Sequence, residues 1–210
     1  MEDTRGPMAA SLLEIGAVIL RPSDPFTWAS GWHSPIYCDN RRILSHPSLR
    51  SWVAGKLSDC VQEAYPGVEY VAGVATGAIA HGVLVADKLG KPFVYVRPKP
   101  KDHGTGSQIE GELPAGARVV VVEDLISTGM SSLAAVKALR EAGAEVLGMA
   151  ALFTYAFPLA ADRFAEAGVQ LYTLTDYPAL LGTALERGYI EENQLGVLEQ
   201  WRESPSTWNV

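Results

Sequence analysis

The chain has 210 residues, of which 48% are apolar and 20% are charged, and its formal net charge is −7. This length is sufficient for one sizeable α/β domain, and the acidic balance argues against a nucleic-acid-binding surface. The cysteines Cys38 and Cys60 lie in no metal-ligand spacing, which favours a reducing, cytoplasmic environment. Glu2 and Asp3 precede any apolar run, so no signal peptide is expected. The longest uncharged stretch, residues 70–86, is too short to span a membrane.

The N-terminal part of the sequence predicts helices and short strands. Residues 9–16 are expected to form a short helix, and residues 26–40 are expected to form short strands joined by turns. Residues 47–64 are expected to form a longer helix, since Pro47 suits a first-turn position. Apolar residues recur at every fourth position of this helix, namely Leu49, Val53, Leu57 and Val61.

From residue 70 onward, strand and helix patterns alternate. Strands are predicted at residues 70–74, 93–96, 119–122, 146–153 and 169–174, and helices at residues 78–89, 131–142, 159–167 and about 195–201. Gly90 and Gly143 are suited to close two of these helices. The alternation predicts a parallel sheet with right-handed crossovers. Because ligands bind beyond the carboxyl ends of such strands, the loops after Val74, Val96 and Val122 are the expected site.

The loop after the third of these strands has the most informative pattern. Four valines at residues 119–122 precede the adjacent carboxylates of Glu123 and Asp124. Residues 127–131 then offer hydroxyls, free N–H groups and the start of a helix, which suit a phosphate, and Gly129 permits close approach. The carboxylates would repel that phosphate and are better suited to a ribose diol. An ordinary helix N-cap would explain the hydroxyls but not the paired acids.

The loop after the second strand, residues 97–111, is cationic and rich in glycine. Clustered cations in an acidic chain suggest a multiply charged anion such as pyrophosphate, and Arg97 can bind two oxygens at once, whereas Lys99 and Lys101 are point charges. His103 is suited to give a proton or a hydrogen bond to a leaving group. Long loops of this kind are often lids, although a solvated surface loop would have the same composition.

Two further segments are less specific. The small residues of loop 73–77 would let backbone N–H groups reach pyrophosphate, but they would equally serve tight packing of a helix on a sheet. His81, inside the following helix, is expected to be a packed or partly exposed helix residue rather than a catalyst. The aromatic residues within residues 26–41 would cover a planar base or belong to the core.

These motifs resemble those of a known family. The segment 119–131 resembles the PRPP-binding motif of the type I phosphoribosyltransferases, where PRPP is 5-phospho-α-D-ribosyl 1-diphosphate. Segment 97–111 resembles the catalytic loop of the orotate phosphoribosyltransferases. The pattern of Phe-Thr, Ser-Gly and Ser-Pro followed by Tyr37 resembles the N-terminal hood that separates this branch from its purine relatives. The resemblance covers about residues 12–174.

The resemblance implies an α/β fold of the type I phosphoribosyltransferase kind, with a mostly parallel central sheet flanked by helices. It implies one domain over residues 1–210, with a small hood contributed mainly by about residues 12–42. The implied activity transfers the 5-phosphoribosyl group of PRPP to N1 of orotate, which yields orotidine 5′-monophosphate and pyrophosphate in pyrimidine biosynthesis. Mg²⁺ would be the cofactor, with few direct protein ligands and no metal-binding residue assigned. The partners would be PRPP, orotate and a second copy of the chain, with neither nucleic acid nor membrane.

The resemblance also implies roles for individual residues. Lys101 and His103 match catalytic positions of the loop at residues 97–111, here called the flap, which in this family closes over the active site of the neighbouring subunit. Substrate-binding positions are Arg97, Lys99, Glu123, Asp124, Leu125, Ile126, Ser127, Thr128, Gly129, Met130 and Ser131. Some relatives have a Lys directly after the first Arg of the flap, where this chain has Pro98. Some also have a Lys in place of Ala29 and an orotate-contacting Arg near Tyr155, neither of which this chain has. Ser127 matches a hydroxyl position that contacts orotate, and Arg41 or Arg42 is an alternative partner for the orotate carboxylate.

Two alternative functions remain open at this stage. A phosphoribosyltransferase for a purine or for uracil would share the PRPP motif, although the hood favours orotate. A PRPP-sensing regulator that binds nucleic acid would share the fold, since fold alone does not determine function. The net charge of −7 and the lack of an added DNA-binding motif in the sequence favour the enzyme.

Overall fold

The structure is a computed structural model that describes residues 3–28, 31–99 and 108–208. The predictions for Ala29, Lys101 and His103 lie outside these described residues.

Helices and strands alternate over most of the described chain. The helices are α1 (Arg5–Glu14), α2 (Pro47–Ala64), α3 (Ala78–Leu89), α4 (Met130–Glu141), α5 (Pro158–Glu166), α6 (Tyr177–Glu186) and α7 (Glu192–Glu203), with a 3-10 helix at Asn40–Ser45. The strands are β1 (Val18–Leu20), β2 (Phe26–Thr27), β3 (His33–Ser34), β4 (Ile36–Cys38), β5 (Tyr70–Val74), β6 (Phe93–Val96), β7 (Ile109–Glu110), β8 (Arg118–Ile126), β9 (Glu145–Thr154) and β10 (Leu171–Asp176).

The central sheet of the described chain has six strands in the order β10-β9-β8-β5-β6-β7. Its first five strands pair in parallel, and β7 pairs antiparallel with β6 at the edge. The predicted α/β fold with a mostly parallel sheet is therefore confirmed. Because β5, β6 and β8 are parallel neighbours, their carboxyl ends bring the three predicted loops to one edge of the sheet.

Strand β8 differs from its prediction and corrects it. The four valines are fully buried, as expected of a strand covered on both faces, but the strand continues to Ile126 rather than ending at Val122. Strand β9 causes this extension, since it continues beside β8 and pairs Glu123 with Ala151. The two acidic residues therefore lie within a strand and not in a loop.

The segment predicted to form the hood, residues 12–42, contributes two small antiparallel ribbons, β1 with β4 and β2 with β3. The hood contacts the C-terminal helix, because the Trp201 indole in α7 donates to the carbonyl of His33 at 3.1 Å. The sequence pattern did not predict β1 or α6.

Candidate active site

A cavity of about 780 Å³ lies beyond the carboxyl ends of β5, β6 and β8. We call it the sugar-phosphate cavity. It is lined by residues 38, 39, 41, 74–77, 96–98, 108, 123–125, 127–131, 134 and 135. All three loops that the sequence predicted to form the site thus contribute to one cavity, together with part of the hood.

Glu123 is buried and its carboxylate is held by two hydrogen bonds. Oε1 accepts from the main-chain N–H of Asp124 at 3.0 Å, and Oε2 accepts from the Ser132 hydroxyl at 2.9 Å. Burial, and then the charge of Asp124, raise the pKa of Glu123 well above its ordinary value. Only 4% of the Glu123 surface is exposed, so this side chain supports the floor of the cavity more than it presents itself to solvent.

The raised pKa of Glu123 predicts a pH-dependent stability. An acid whose pKa rises on folding keeps its proton in the folded protein after the unfolded chain has lost it. The free energy of unfolding therefore falls as the pH rises from the ordinary carboxyl range toward the raised pKa, by about 1.4 kcal/mol for each unit of the shift. Glu123→Gln should remove this dependence, because a neutral amide has no proton to lose.

Urea denaturation at about pH 5 and about pH 8 tests this expectation. The advantage of Glu123→Gln over the wild type should be larger at the higher pH. Glu166→Gln, which changes an exposed acid at the end of α5, is the matched control and should show no such trend. An advantage that is equal at both pH values would contradict the burial argument.

Asp124 is partly exposed and faces the cavity. A Cβ atom added at Gly77 would overlap the Asp124 carboxylate, so this carboxylate lies directly against the loop that follows β5. The main-chain carbonyl of Asp124 accepts a hydrogen bond from the side-chain amide of Asn40 at 2.6 Å. Asp124 is thereby positioned by three parts of the chain, namely β8, the β5 loop and the hood.

The turn at residues 127–131, here called the phosphate turn, leads into α4. Gly129 has a φ of 77° at the N-cap of this helix, a conformation that other residues adopt only with strain. The carbonyl of Thr128 accepts from the Arg163 guanidinium at 2.9 Å, which fixes the turn from outside the cavity. The first N–H groups of α4 are thus directed toward the cavity edge with the positive end of the helix dipole.

Ile126 differs from the other residues of the predicted motif. Its side chain is fully buried and does not line the cavity. Its carbonyl accepts from the Tyr155 N–H at 3.0 Å, which continues the ladder beyond the end of the strand. Any contact of Ile126 with substrate would have to use its main chain, and its substrate-binding role stays a prediction.

The described part of the cationic loop places one cation at the cavity. Arg97 lines the cavity, forms an ion pair with Glu110 at 3.7 Å, and accepts at its carbonyl from the Gln108 side chain at 3.0 Å. Lys99 is exposed and is not part of the lining. The cavity contains a second cation, Arg41, and the Arg41 guanidinium lowers the pKa of its partner Asp39 by hydrogen bonding.

The loop after β5 is close to the acidic residues. Ala75, Thr76 and Gly77 line the cavity, and the Ala75–Thr76 peptide bond is cis. His81, one turn into α3, is buried, and burial lowers its pKa below the ordinary histidine value. The prediction of a packed helix residue is therefore confirmed for His81.

A second cavity of about 500 Å³ adjoins the first. We call it the base pocket. It is lined by Phe26, Thr27, Trp28, Tyr37, Cys38, Leu125, Ser127 and Tyr155, of which Cys38, Leu125 and Ser127 also line the sugar-phosphate cavity. Phe26 and Tyr37 have ring centroids 5.7 Å apart, and those of Trp28 and Tyr155 are 5.3 Å apart. The pocket therefore offers flat apolar surfaces beside a sugar-sized space.

Sequence reasoning did not single out several residues that line these cavities. Cys38, Asp39 and Gln108 are examples. Their local signal was weak, since single polar residues at the ends of short strands are common. For Arg41, the predicted alternative was a contact with a base carboxylate, but Arg41 lines the sugar-phosphate cavity and is absent from the lining of the base pocket.

Comparison with known proteins identifies the family to which this chain belongs. Residues 39–169 match the family model described as "Phosphoribosyl transferase domain". The chain is 58% identical over 202 residues to the orotate phosphoribosyltransferase of Phocaeicola vulgatus, which covers 96% of this chain and 95% of that protein. The chain belongs to the orotate phosphoribosyltransferase family.

Solved structures of orotate phosphoribosyltransferases share this fold. The enzyme from Aeropyrum pernix superimposes with a TM-score of 0.76 at 34% identity, covering 88% of this chain and 99% of that one. The Mycobacterium tuberculosis H37Rv enzyme in complex with PRPP gives a TM-score of 0.64 at 28% identity, covering 83% and 99%. The predicted family, fold and class of enzyme are confirmed.

The family match also divides the site into two parts. The general phosphoribosyltransferase match begins at residue 39, after the base-pocket residues Phe26, Trp28 and Tyr37. The general domain therefore accounts for most of the sugar-phosphate cavity, and the hood, shared with the orotate phosphoribosyltransferases, accounts for most of the base pocket.

Among residues 3–28, 31–99 and 108–208, no helix combines the length and apolar character needed to cross a membrane.

Proposed function

We propose that this chain joins orotate to the 5-phosphoribosyl group of PRPP, forming the bond from orotate N1 to the anomeric carbon and releasing pyrophosphate. The observation that carries the proposal is the pair of adjoining cavities. One contains three carboxylates, a helix N-terminus and two arginines, and the other is lined by aromatic rings. A sugar phosphate and a planar base would meet where the two cavities share Cys38, Leu125 and Ser127.

The 5-phosphate would occupy the phosphate turn. Residues 127–131 line the cavity at the start of α4, where free N–H groups and hydroxyls can donate to an anion. The positive end of the helix dipole adds electrostatic attraction. Leu125 would contribute apolar contact to the sugar, and Met130, which is 65% exposed, would cover the turn from the solvent side.

The ribose would be held by the acidic pair. The partly exposed carboxylate of Asp124 would accept hydrogen bonds from ribose hydroxyls, which are good donors to carboxylates. Glu123 would act chiefly by supporting Asp124, since it accepts from the Asp124 N–H at 3.0 Å. Positioning of the ribose in this way would align the anomeric carbon with the incoming base.

Pyrophosphate would leave between the β5 loop and the cationic flap. Arg97 at the cavity wall would bind its oxygens, and Lys101 and His103 are proposed to neutralise the growing charge on the leaving group. Lys99 would contribute to the long-range attraction of the anionic substrate, because it is exposed and outside the cavity lining. Closure of the flap would exclude water that would otherwise hydrolyse PRPP.

Magnesium fits the donor set of the cavity as a substrate-bound ion. Among the described residues, no three His, Cys, Asp or Glu side chains are grouped to hold a metal. Mg²⁺ commonly keeps several waters and binds through one or two carboxylates plus substrate phosphates, and Asp124 would help to hold it here. When bound, the ion would supply charge neutralisation for pyrophosphate, and the residues of the chain would orient and enclose the substrates.

The proposal extends to assembly and location. Residues 1–210 would form one catalytic domain, with the hood of residues 12–42 covering the base, and the protein would act in the cytoplasm. Two copies would form a homodimer in which the flap of each reaches the active site of the other. A net charge of −7 argues against a nucleic-acid partner.

A base panel tests the proposed reaction. With PRPP and magnesium present, orotate should be converted to orotidine 5′-monophosphate, and adenine, hypoxanthine and uracil should be converted at least about 100-fold more slowly. The reason is that the base pocket must match both the planar ring and its polar edge. Turnover of another base in preference to orotate would overturn the choice of substrate, and PRPP binding without any turnover would overturn the enzyme.

A further inference from the structure

Asn40 is a buried amide that connects the hood to the sugar-phosphate cavity. It is the first residue of the 3-10 helix after β4, and only 1% of its surface is exposed. Its side-chain nitrogen donates to the main-chain carbonyl of Asp124 at 2.6 Å, across a large separation in sequence. Asn40 itself is not part of the cavity lining. Its contact is therefore with the main chain of a proposed ribose-binding residue and not with substrate.

The sheet explains why Asp124 needs this donor. The register between β5 and β8 ends at the pair of Gly73 and Val122, whereas β8 continues to Ile126. Beyond Val122, β8 has lost its β5 neighbour on one side, and a partly buried carbonyl there requires another donor. The Asn40 amide supplies it.

The Asn40 side chain is itself held in one orientation. The Cys38 thiol donates to its Oδ1 at 3.5 Å, which leaves the NH₂ group to face Asp124. The main chain of Asn40 also lies beside the buried imidazole of His81 in α3, where it opposes the lowering of the His81 pKa by burial. Cys38 lines both cavities, so the chain of contacts runs from the base pocket, through Asn40, to the carboxylate that faces the ribose.

We propose that Asn40 is a positioning residue for phosphoribosyl transfer. By holding the Asp124 main chain where β5 no longer supports it, the amide keeps the Asp124 carboxylate against Gly77, in place for the ribose hydroxyls. This inference rests on the proposed function, since it assigns Asn40 a role through Asp124. Its effect should fall on PRPP rather than on orotate, because the contact supports the ribose side of the site.

Asn40→Ala in the full-length protein is the test. We expect kcat/KM for PRPP to fall about 10- to 100-fold, because small displacements of a substrate-positioning group are costly, while KM for orotate changes far less. Ser58→Ala is the matched control. It removes a buried hydroxyl that donates to the Ala54 carbonyl at 2.7 Å in α2, away from both cavities, and should leave both constants unchanged.

A double-mutant comparison separates positioning from general destabilisation. In an Asp124→Asn background, Asn40→Ala should cause little additional loss, since its effect acts through the missing carboxylate. The proposal would be overturned if the two losses in kcat/KM for PRPP were fully additive. It would also be overturned if KM for orotate rose as much as KM for PRPP. Asn40→Ser provides a second variant with a smaller cavity if Asn40→Ala does not fold, and kcat/KM for PRPP within about twofold of wild type in that variant would also overturn it.

PRPP binding measured by calorimetry without orotate distinguishes this inference from the proposed function. If wild-type protein binds PRPP but does not convert orotate, the proposed reaction fails, while weaker PRPP binding by Asn40→Ala would still support positioning of Asp124. If wild-type protein converts orotate and Asn40→Ala retains wild-type PRPP binding and kcat/KM, the inference about Asn40 fails and the reaction stands.

Discussion

Asp124→Asn should lower kcat/KM for PRPP by roughly 100-fold without lowering the melting temperature. The amide can accept from one ribose hydroxyl but presents a donor to the other, and it removes the negative charge that would stabilise a cationic sugar in the transition state. The fold should tolerate the change, because Asp124 is partly exposed and its charge raises the pKa of the buried Glu123. Loss of that charge relieves a repulsion instead of creating one.

Steady-state kinetics and thermal unfolding measured on the same preparation test this prediction. Asp162→Asn, an exposed acid on α5, is the matched control and should behave as the wild type in both measurements. A variant at position 124 with wild-type kcat/KM would remove Asp124 from the ribose site. A variant with a strongly lowered melting temperature would instead indicate that the carboxylate is part of the folding core.

The second large effect is expected for Lys101→Ala, which should lower kcat by about 100-fold or more and change KM for PRPP much less. Charge on pyrophosphate grows as the bond to the sugar breaks, so a cation that contacts the leaving group contributes more in the transition state than in the ground state. The basis is the cationic, glycine-rich sequence of residues 97–111 and its likeness to the flap of this family. Lys99→Ala is the matched control, and its effect should be much smaller, because Lys99 is exposed and outside the cavity lining.

Mixing the two inactive variants tests whether the flap acts in the neighbouring subunit. If the subunits exchange at random and Lys101 serves the partner's site, half of the dimers each contain one intact site, and about a quarter of the wild-type activity should return. Each variant alone should stay inactive. A mixture that also stays inactive after demonstrated exchange would place Lys101 and Asp124 in the same subunit's site.

The two cavities suggest how specificity is divided within the chain. The sugar-phosphate cavity depends mainly on the ends of parallel strands, a property of the fold as a whole. The base pocket depends on the hood and on Tyr155, whose ring lies 5.3 Å from Trp28 and 5.5 Å from Trp201 of the C-terminal helix. Changes of base preference are therefore expected to arise in the hood and its aromatic supports.

Two helices and two strands of the α/β core were determined by local sequence. Residues 47–64, 70–74, 78–89 and 93–96 form the predicted elements with the predicted bounds. Their signals were apolar periodicity, a proline in the first turn of a helix and a glycine at its end, all of which act within a few residues. Gly90, for example, has a φ of 61° and closes α3 because it adopts the left-handed conformation without strain.

The carboxyl end of β8 was decided only by the tertiary structure. The sequence alone indicated two acids, a hydroxyl-rich turn and the chemistry of a sugar phosphate. Whether β8 ends at Val122 or Ile126 depends on β9 beside it, and the burial of Glu123 depends on Ser132 and on the packed sheet. The support of Asp124 by Asn40 joins residues far apart in the chain, and no local pattern encodes such a contact. Local periodicity therefore specified the elements and the motif, whereas the ionisation and orientation of the acids follow from neighbours that only folding brings together.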